Sequence, residues 1–139
     1  MPQLRSIVYV STAVHPMDET ELEGLLVESQ RLNMESHTTG VLLYSEGSFM
    51  QCFEGTSAAI AVTWQRIRAS RRHTGIIELL DEPVPARSFE GWEMGFARAK
   101  RSEILALSSA RWRHQAGAKD DTGSAGLQLL KDFWVRAHR

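Results

Sequence analysis

The chain has 139 residues, 42% of them hydrophobic and 24% charged, a balance that fits one globular domain with its own core and excludes a disordered chain. Sixteen Lys+Arg against seventeen Asp+Glu leave a net charge of −1, which removes the general electrostatic case for nucleic-acid or anionic-membrane binding. The single cysteine, Cys52, excludes an internal disulfide and a cysteine-rich zinc site.

Leu4 to Ser11 reads as a strand, with Leu4, Val8 and Val10 on one face and Ile7 and Tyr9 on the other. Apolar residues on both faces place it centrally in a sheet. Asp18 followed by Glu21 has the spacing of a capping box. From there Leu22, Leu25, Leu26, Ser29 and Leu32/Asn33 follow the period of an amphipathic helix. Met34 to Thr38 reads as a loop. Thr39 to Tyr44 and Ser48 to Glu54 are strands joined by Ser45-Glu46-Gly47, a hairpin signal. Thr56 or Ser57 caps a second helix with Ile60, Trp64 and Ile67 on its inner face, and Arg71 to Gly75 closes it. Ile76 to Leu80 and Phe89 to Phe96 read as two more strands, linked through Pro83 and Pro85.

The order β-α-β-β-α-β-β predicts an α+β fold, a ferredoxin-like split β-α-β with one added strand. Such a sheet carries both helices on one face and leaves the other open. Glu103 to Ser109 reads as a short helix and Gln115 to Gly123 as a polar loop. Leu127, Leu129, Leu130, Phe133 and Trp134 form an amphipathic C-terminal helix, expected to cover the open face or a partner. Residues 1–98 are expected to form the binding unit, and 99–139 a helical cap of the same domain. No segment has the length of a membrane span or the pattern of a signal region, so a cytoplasmic setting is expected. The five histidines lack metal-ligand spacing.

Three polar side chains stand where apolar ones are expected. Gln51 shares a strand face with Phe49 and Phe53, Tyr9 shares one with Ile7, and Asn33 ends the first helix's apolar stripe. A buried amide needs partners for one acceptor and two donors. Singly, each has a plain reading: a core tyrosine bonded to backbone, an edge glutamine facing water, a helix C-cap. Together, beneath two helices, they suggest a polar ligand with a planar apolar body.

Tyr9-Val10-Ser11, Asn33, Thr39-Gly40-Val41-Leu42-Leu43-Tyr44, Phe49-Met50-Gln51-Cys52-Phe53-Glu54-Gly55, Arg71-Arg72-His73 and Phe89-Glu90-Gly91-Trp92-Glu93-Met94 occur in the order and spacing of the BLUF family, the flavin-binding blue-light sensors. The resemblance covers about residues 4 to 98. It implies FAD held noncovalently between the two helices on one sheet face. It implies that Tyr9 is the photochemical tyrosine, that Gln51 lies between it and flavin N5/C4=O, and that Asn33 bonds the C4=O/N3 edge. Arg66 falls where some members place an arginine near C2=O, and His73 matches a histidine close to the pocket. Trp92 and Met94 match the fifth-strand pair whose exchange near the glutamine accompanies signalling. Ile7, Leu25, Leu26 and Ile67 are candidate walls for the ring, and the Arg71/Arg72 pair could reach the FAD phosphates or lie solvated. Two departures remove polar groups: Ser70 stands where many members carry Asp, and Leu32 where many carry a polar residue. Cys52 points away from Gln51 by the period of a strand and needs no photochemical role.

The resemblance thus implies a photoreceptor, not an enzyme, that signals to a downstream protein or through a homo-oligomer, without direct nucleic-acid or membrane contact. A rival is a regulatory or interaction module on the same fold that has lost flavin. An acylphosphatase-like hydrolase would need a basic phosphate-cradling loop after the first strand, and Ser11 to Pro16 has neither Gly nor Arg.

Overall fold

The computed structural model describes residues 3–112 and 125–138. Its elements are β1 (Leu4–Ala13), α1 (Glu19–Glu35), β2 (Thr39–Ser45), β3 (Ser48–Thr56), α2 (Ser57–Ala69), β4 (His73–Val84), β5 (Gly95–Arg98), α3 (Arg101–Ser108) and α4 (Ala125–Ala137). The strands form one sheet in the order β4-β1-β3-β2-β5. β1 runs antiparallel to β3 and β4, β2 antiparallel to β3, and β5 parallel to β2. The α+β ferredoxin-like expectation holds.

The caps explain where the helices begin. Asp18 accepts from the Glu21 N–H at 2.8 Å, and the Thr56 hydroxyl accepts from the Ala59 N–H at 3.3 Å. Each satisfies a donor that the first turn leaves orphaned. α1 runs through Met34 and Glu35, so the loop expected from Met34 begins instead at the C-cap Ser36.

The fifth strand is shorter than the Phe89 to Phe96 expected. Residues 85–94 make bends and turns, and pairing starts only at Gly95. The alternation of large residues there comes from a segment held by side chains, with Gly91 at φ 91°, a left-handed turn that favours glycine. β4 is correspondingly longer. It starts at His73 and includes Pro83, which an edge strand tolerates because its outer N–H positions need no partner. α2 ends at Ala69, ahead of the Arg71 to Gly75 segment expected to close it.

The period of two sends alternate residues to opposite faces. On the front face α1 packs over Leu42, Tyr44 and Phe49, and α2 over Ile7, Tyr9 and Phe53. On the back face Val8, Val41, Leu43, Met50, Cys52 and Leu80 join Leu107, Trp112, Leu130, Phe133 and Trp134 in one core. α3 and α4 therefore cover the face that the first two helices leave open. α4 approaches closely at Gly126, where a Cβ would run into the Trp112 ring. Its neighbour Leu129, expected on the apolar face, is 48% exposed. The expected loop from Gln115 to Gly123 lies outside the described residues.

Candidate functional site

Tyr9 and Gln51 are direct register partners across β1 and β3, and Leu42 on β2 pairs with Gln51 from the other side. Their side chains share the front face of the three central strands. Gln51 is thus no edge residue facing water: it is 8% exposed, and Tyr9 3%. The Tyr9 hydroxyl donates to Gln51 Oε1. The opposite end of the amide, Nε2, donates to the Met94 thioether at 3.6 Å. An amide nitrogen carries two hydrogens, so the contact with Met94 uses one and leaves one for a ligand.

A cavity of about 250 Å³ opens beside this pair, between α1 and α2. Leu25, Leu42, Phe49 and Ile67 supply apolar walls, Tyr9 and Gln51 polar groups, and Arg66, Arg72 and Glu28 charges. An apolar pocket with few convergent polar groups is the ordinary form of a small-molecule site. The Arg72 guanidinium bonds Glu28 at 3.1 Å, both side chains half exposed, and joins α1 to the segment after α2. Partial burial lowers the Arg66 pKa from its ordinary value, and Glu28 opposes that shift. Burial pushes the Tyr9 phenol well above its ordinary range, with Arg66 acting the other way.

His73 also lines the cavity and ties the end of α2 to β1. Its Nε2 donates to the Ile67 carbonyl at 2.8 Å, and its Nδ1 shares a hydrogen bond with the Ser11 hydroxyl at 2.7 Å. Trp64 packs against Tyr9 with ring centroids 5.3 Å apart and planes tilted by 42°.

The sequence-derived residues do not all converge. Tyr9, Leu25, Gln51, Arg66, Ile67, Arg72 and His73 line the cavity. Ile7 and Leu26 lie in the packing behind it, with Phe53 and Ile60 and with Leu22 and Tyr44 respectively. Asn33 is fully buried. Its Nδ2 donates to the Glu93 carbonyl at 2.5 Å, while its Oδ1 has no partner. Trp92 and Met94 are not a fifth-strand pair: both precede β5. Met94 reaches Gln51, whereas Trp92 lies 41% exposed against Trp134 and His138, with centroids at 5.1 and 5.3 Å. Leu32 and Ser70, the two departures, also line the cavity, as do Glu28, Ser29, Leu42 and Phe49, which were missed. The signals were available: Glu28 and Ser29 follow Leu25 at i+3 and i+4, and Phe49 shares the parity of Gln51.

A family model described as "BLUF: Sensors of blue-light using FAD" matches residues 4–95. The chain belongs to the BLUF family. This agrees with the Tyr9–Gln51 pair at the cavity and identifies the chain as a BLUF blue-light sensor. Among similar proteins is the photoactivated adenylate cyclase subunit alpha of Euglena gracilis, 32% identical over 87 residues, 63% of this chain and 8% of that protein. The blue light- and temperature-regulated antirepressor BluF of Escherichia coli (strain K12) is 31% identical over 132 residues, 93% of this chain and 30% of that protein. The chain therefore spans under a third of the length of either relative. The dark-state structure of the BLUF protein BlrB superposes with a TM-score of 0.69 at 26% identity, over 96% of this chain and 98% of that one. BLUF domains bind flavin, and no described helix is long and apolar enough to cross a membrane.

Proposed function

We propose that this chain senses blue light through FAD bound noncovalently in the cavity between α1 and α2, with Tyr9 and Gln51 as the switch. The observation that carries the reading is the Tyr9–Gln51–Met94 chain of contacts at the cavity. The residues fit a flavin. The walls suit a planar apolar ring, the second Gln51 Nε2 hydrogen is free for a ring acceptor, and Asn33, which does not itself line the cavity, carries a buried Oδ1 with no partner. Ile7 and Leu26 back those walls, and Arg66, Arg72 and His73 line the more polar side.

Flavin supplies absorption in the blue and, once excited, the pull on an electron. Everything else falls to the chain. Tyr9, held as the neutral phenol by its burial, is the electron donor. Its hydroxyl proton already points at Gln51 Oε1 and has one short path to follow. Were the electron and the Nε2 proton accepted at the ring and then both handed back to the Tyr9 oxygen, the proton gained at Oε1 from Tyr9 would leave the amide as its other tautomer; rotation instead reverses its ends. Either change alters what Gln51 offers to the ligand and to Met94. Cys52 is not required: its side chain joins the back-face core, and burial raises its thiol pKa far above the ordinary value.

The altered contact at Met94 passes along its segment to Trp92 and the C-terminal helices, and from there to a protein partner or a second copy of the chain. The name of the Escherichia coli relative, an antirepressor, supports a protein partner. This role needs no catalysis by the chain itself. Residues 99–139 act as a cap of the flavin-binding unit, and the protein works in the cytoplasm.

The test is colour and release. Purified protein, reconstituted with FAD if needed, should be yellow, and acid precipitation should leave all the flavin in the supernatant. Colourless protein after reconstitution, or flavin retained on the polypeptide, contradicts the proposal.

A further inference from the structure

We propose that Glu54 is a positioning residue of the light switch: its carboxylate anchors the 88–94 segment and thereby sets the Met94 thioether against Gln51. The inference rests on the photoswitch reading above. Glu54 is completely buried, and a buried carboxylate is costly unless donors surround it. Its Oε1 accepts from the Phe89 N–H at 2.6 Å and the Thr39 hydroxyl at 3.2 Å, and its Oε2 accepts from the Ser88 N–H at 2.8 Å. Arg87 closes the cluster. Its guanidinium donates to the Thr39 hydroxyl at 2.9 Å and to the Glu54 and His37 carbonyls at 3.1 and 2.8 Å.

The segment from Ser88 to Met94 lies outside the strands, so no ladder fixes its place. Side chains, one turn and one backbone hydrogen bond from β2 do so instead. Glu54 holds its first two N–H groups, which would otherwise be orphaned. Gly40 N–H donates to the Trp92 carbonyl at 2.8 Å. Asn33 holds the Glu93 carbonyl, and Gln30 donates to the Met94 carbonyl at 3.1 Å. The far end is the Met94 sulfur on Gln51. Glu54 and Gln51 stand three residues apart on the same strand, so the strand that carries the switch also carries the anchor of the segment the switch touches.

A double-mutant cycle in the flavin-loaded full chain separates positioning from bulk structure. Glu54→Gln keeps the size of the side chain but turns an amide N–H toward the backbone donors. With Met94 present, the return from the lit to the dark state should slow about tenfold, the scale of one lost charge-assisted hydrogen bond. In a Met94→Ala background the same change should alter the return by less than about twofold. An equal factor in both backgrounds, or no effect in either, overturns the proposal. Should Glu54→Gln not fold, Arg87→Gln against Met94→Ala gives the same comparison from the rim of the cluster. A parent protein without any reversible light response overturns instead the photoswitch reading itself.

Discussion

The two faces of one sheet have been put to opposite uses. Gln51 and Cys52 are neighbours on β3, yet Gln51 opens on a cavity with a tyrosine and a thioether as partners, whereas Cys52 sits in a packed apolar core. The front face carries polar side chains in its central strands and keeps space between its helices. The back face is packed by Leu107, Trp112, Leu130, Phe133 and Trp134 around its centre, with a smaller cavity of about 200 Å³ left between Val10, Thr12 and α3. A small domain can hold a responsive site when the stability comes from the other side of the same strands.

The sharpest way to break this division is to damage the back face alone. Leu130 is fully buried, and Leu130→Ala should cost about 3 kcal/mol from lost transfer energy and the cavity left behind. Chemical denaturation should show that loss, while the light-induced spectral shift of the folded fraction stays the same. A changed shift would mean that the back-face core sets the switch directly.

A closer comparison uses the adjacent pair. Cys52→Ala should lower stability by about 1 kcal/mol and leave the shift intact. Gln51→Leu should abolish the shift, because the amide that both accepts from Tyr9 and donates to Met94 is gone. Absorption spectra before and after blue light, alongside unfolding curves, check both. Equivalent behaviour of the two variants would erase the distinction between the faces.

Much of this division was legible in the sequence, because it rests on local periodicity. The parity of Phe49, Gln51 and Phe53 put Gln51 on the ligand face and Cys52 on the other, and the cap at Asp18 marked the first helix start, while the second, open between Thr56 and Ser57, falls on Thr56. What was not legible depends on contacts far apart in the chain. Phe89 to Phe96 alternates like a strand, yet the buried Glu54 carboxylate and the turn at Gly91 hold most of it out of the sheet. Trp92 and Met94 looked equivalent, and the contact of Met94 with Gln51 and the docking of Trp92 on Trp134 and His138 separate them. Asn33 shows the same limit: helical spacing buried it, but the bond to Glu93 was set by a segment sixty residues away.

The smallest effect expected is an absence of titration. Burial holds the Tyr9 pKa above that of a free phenol, about 10, so the hydroxyl keeps its proton where free tyrosine loses it. The amplitude of the light response should therefore stay level as pH rises toward about 10. A midpoint below that value would show that the phenol is not shielded as its burial requires.

The central claim is that light is read through the Tyr9 hydroxyl. The most direct test is the light-minus-dark absorption spectrum of the flavin-loaded parent beside Tyr9→Phe, which keeps the ring and removes the hydroxyl and the readily oxidised phenol. The parent should show a reversible red shift, and the variant should bind flavin equally yet show none. A normal reversible shift in Tyr9→Phe would contradict the account and place the photochemistry on other residues.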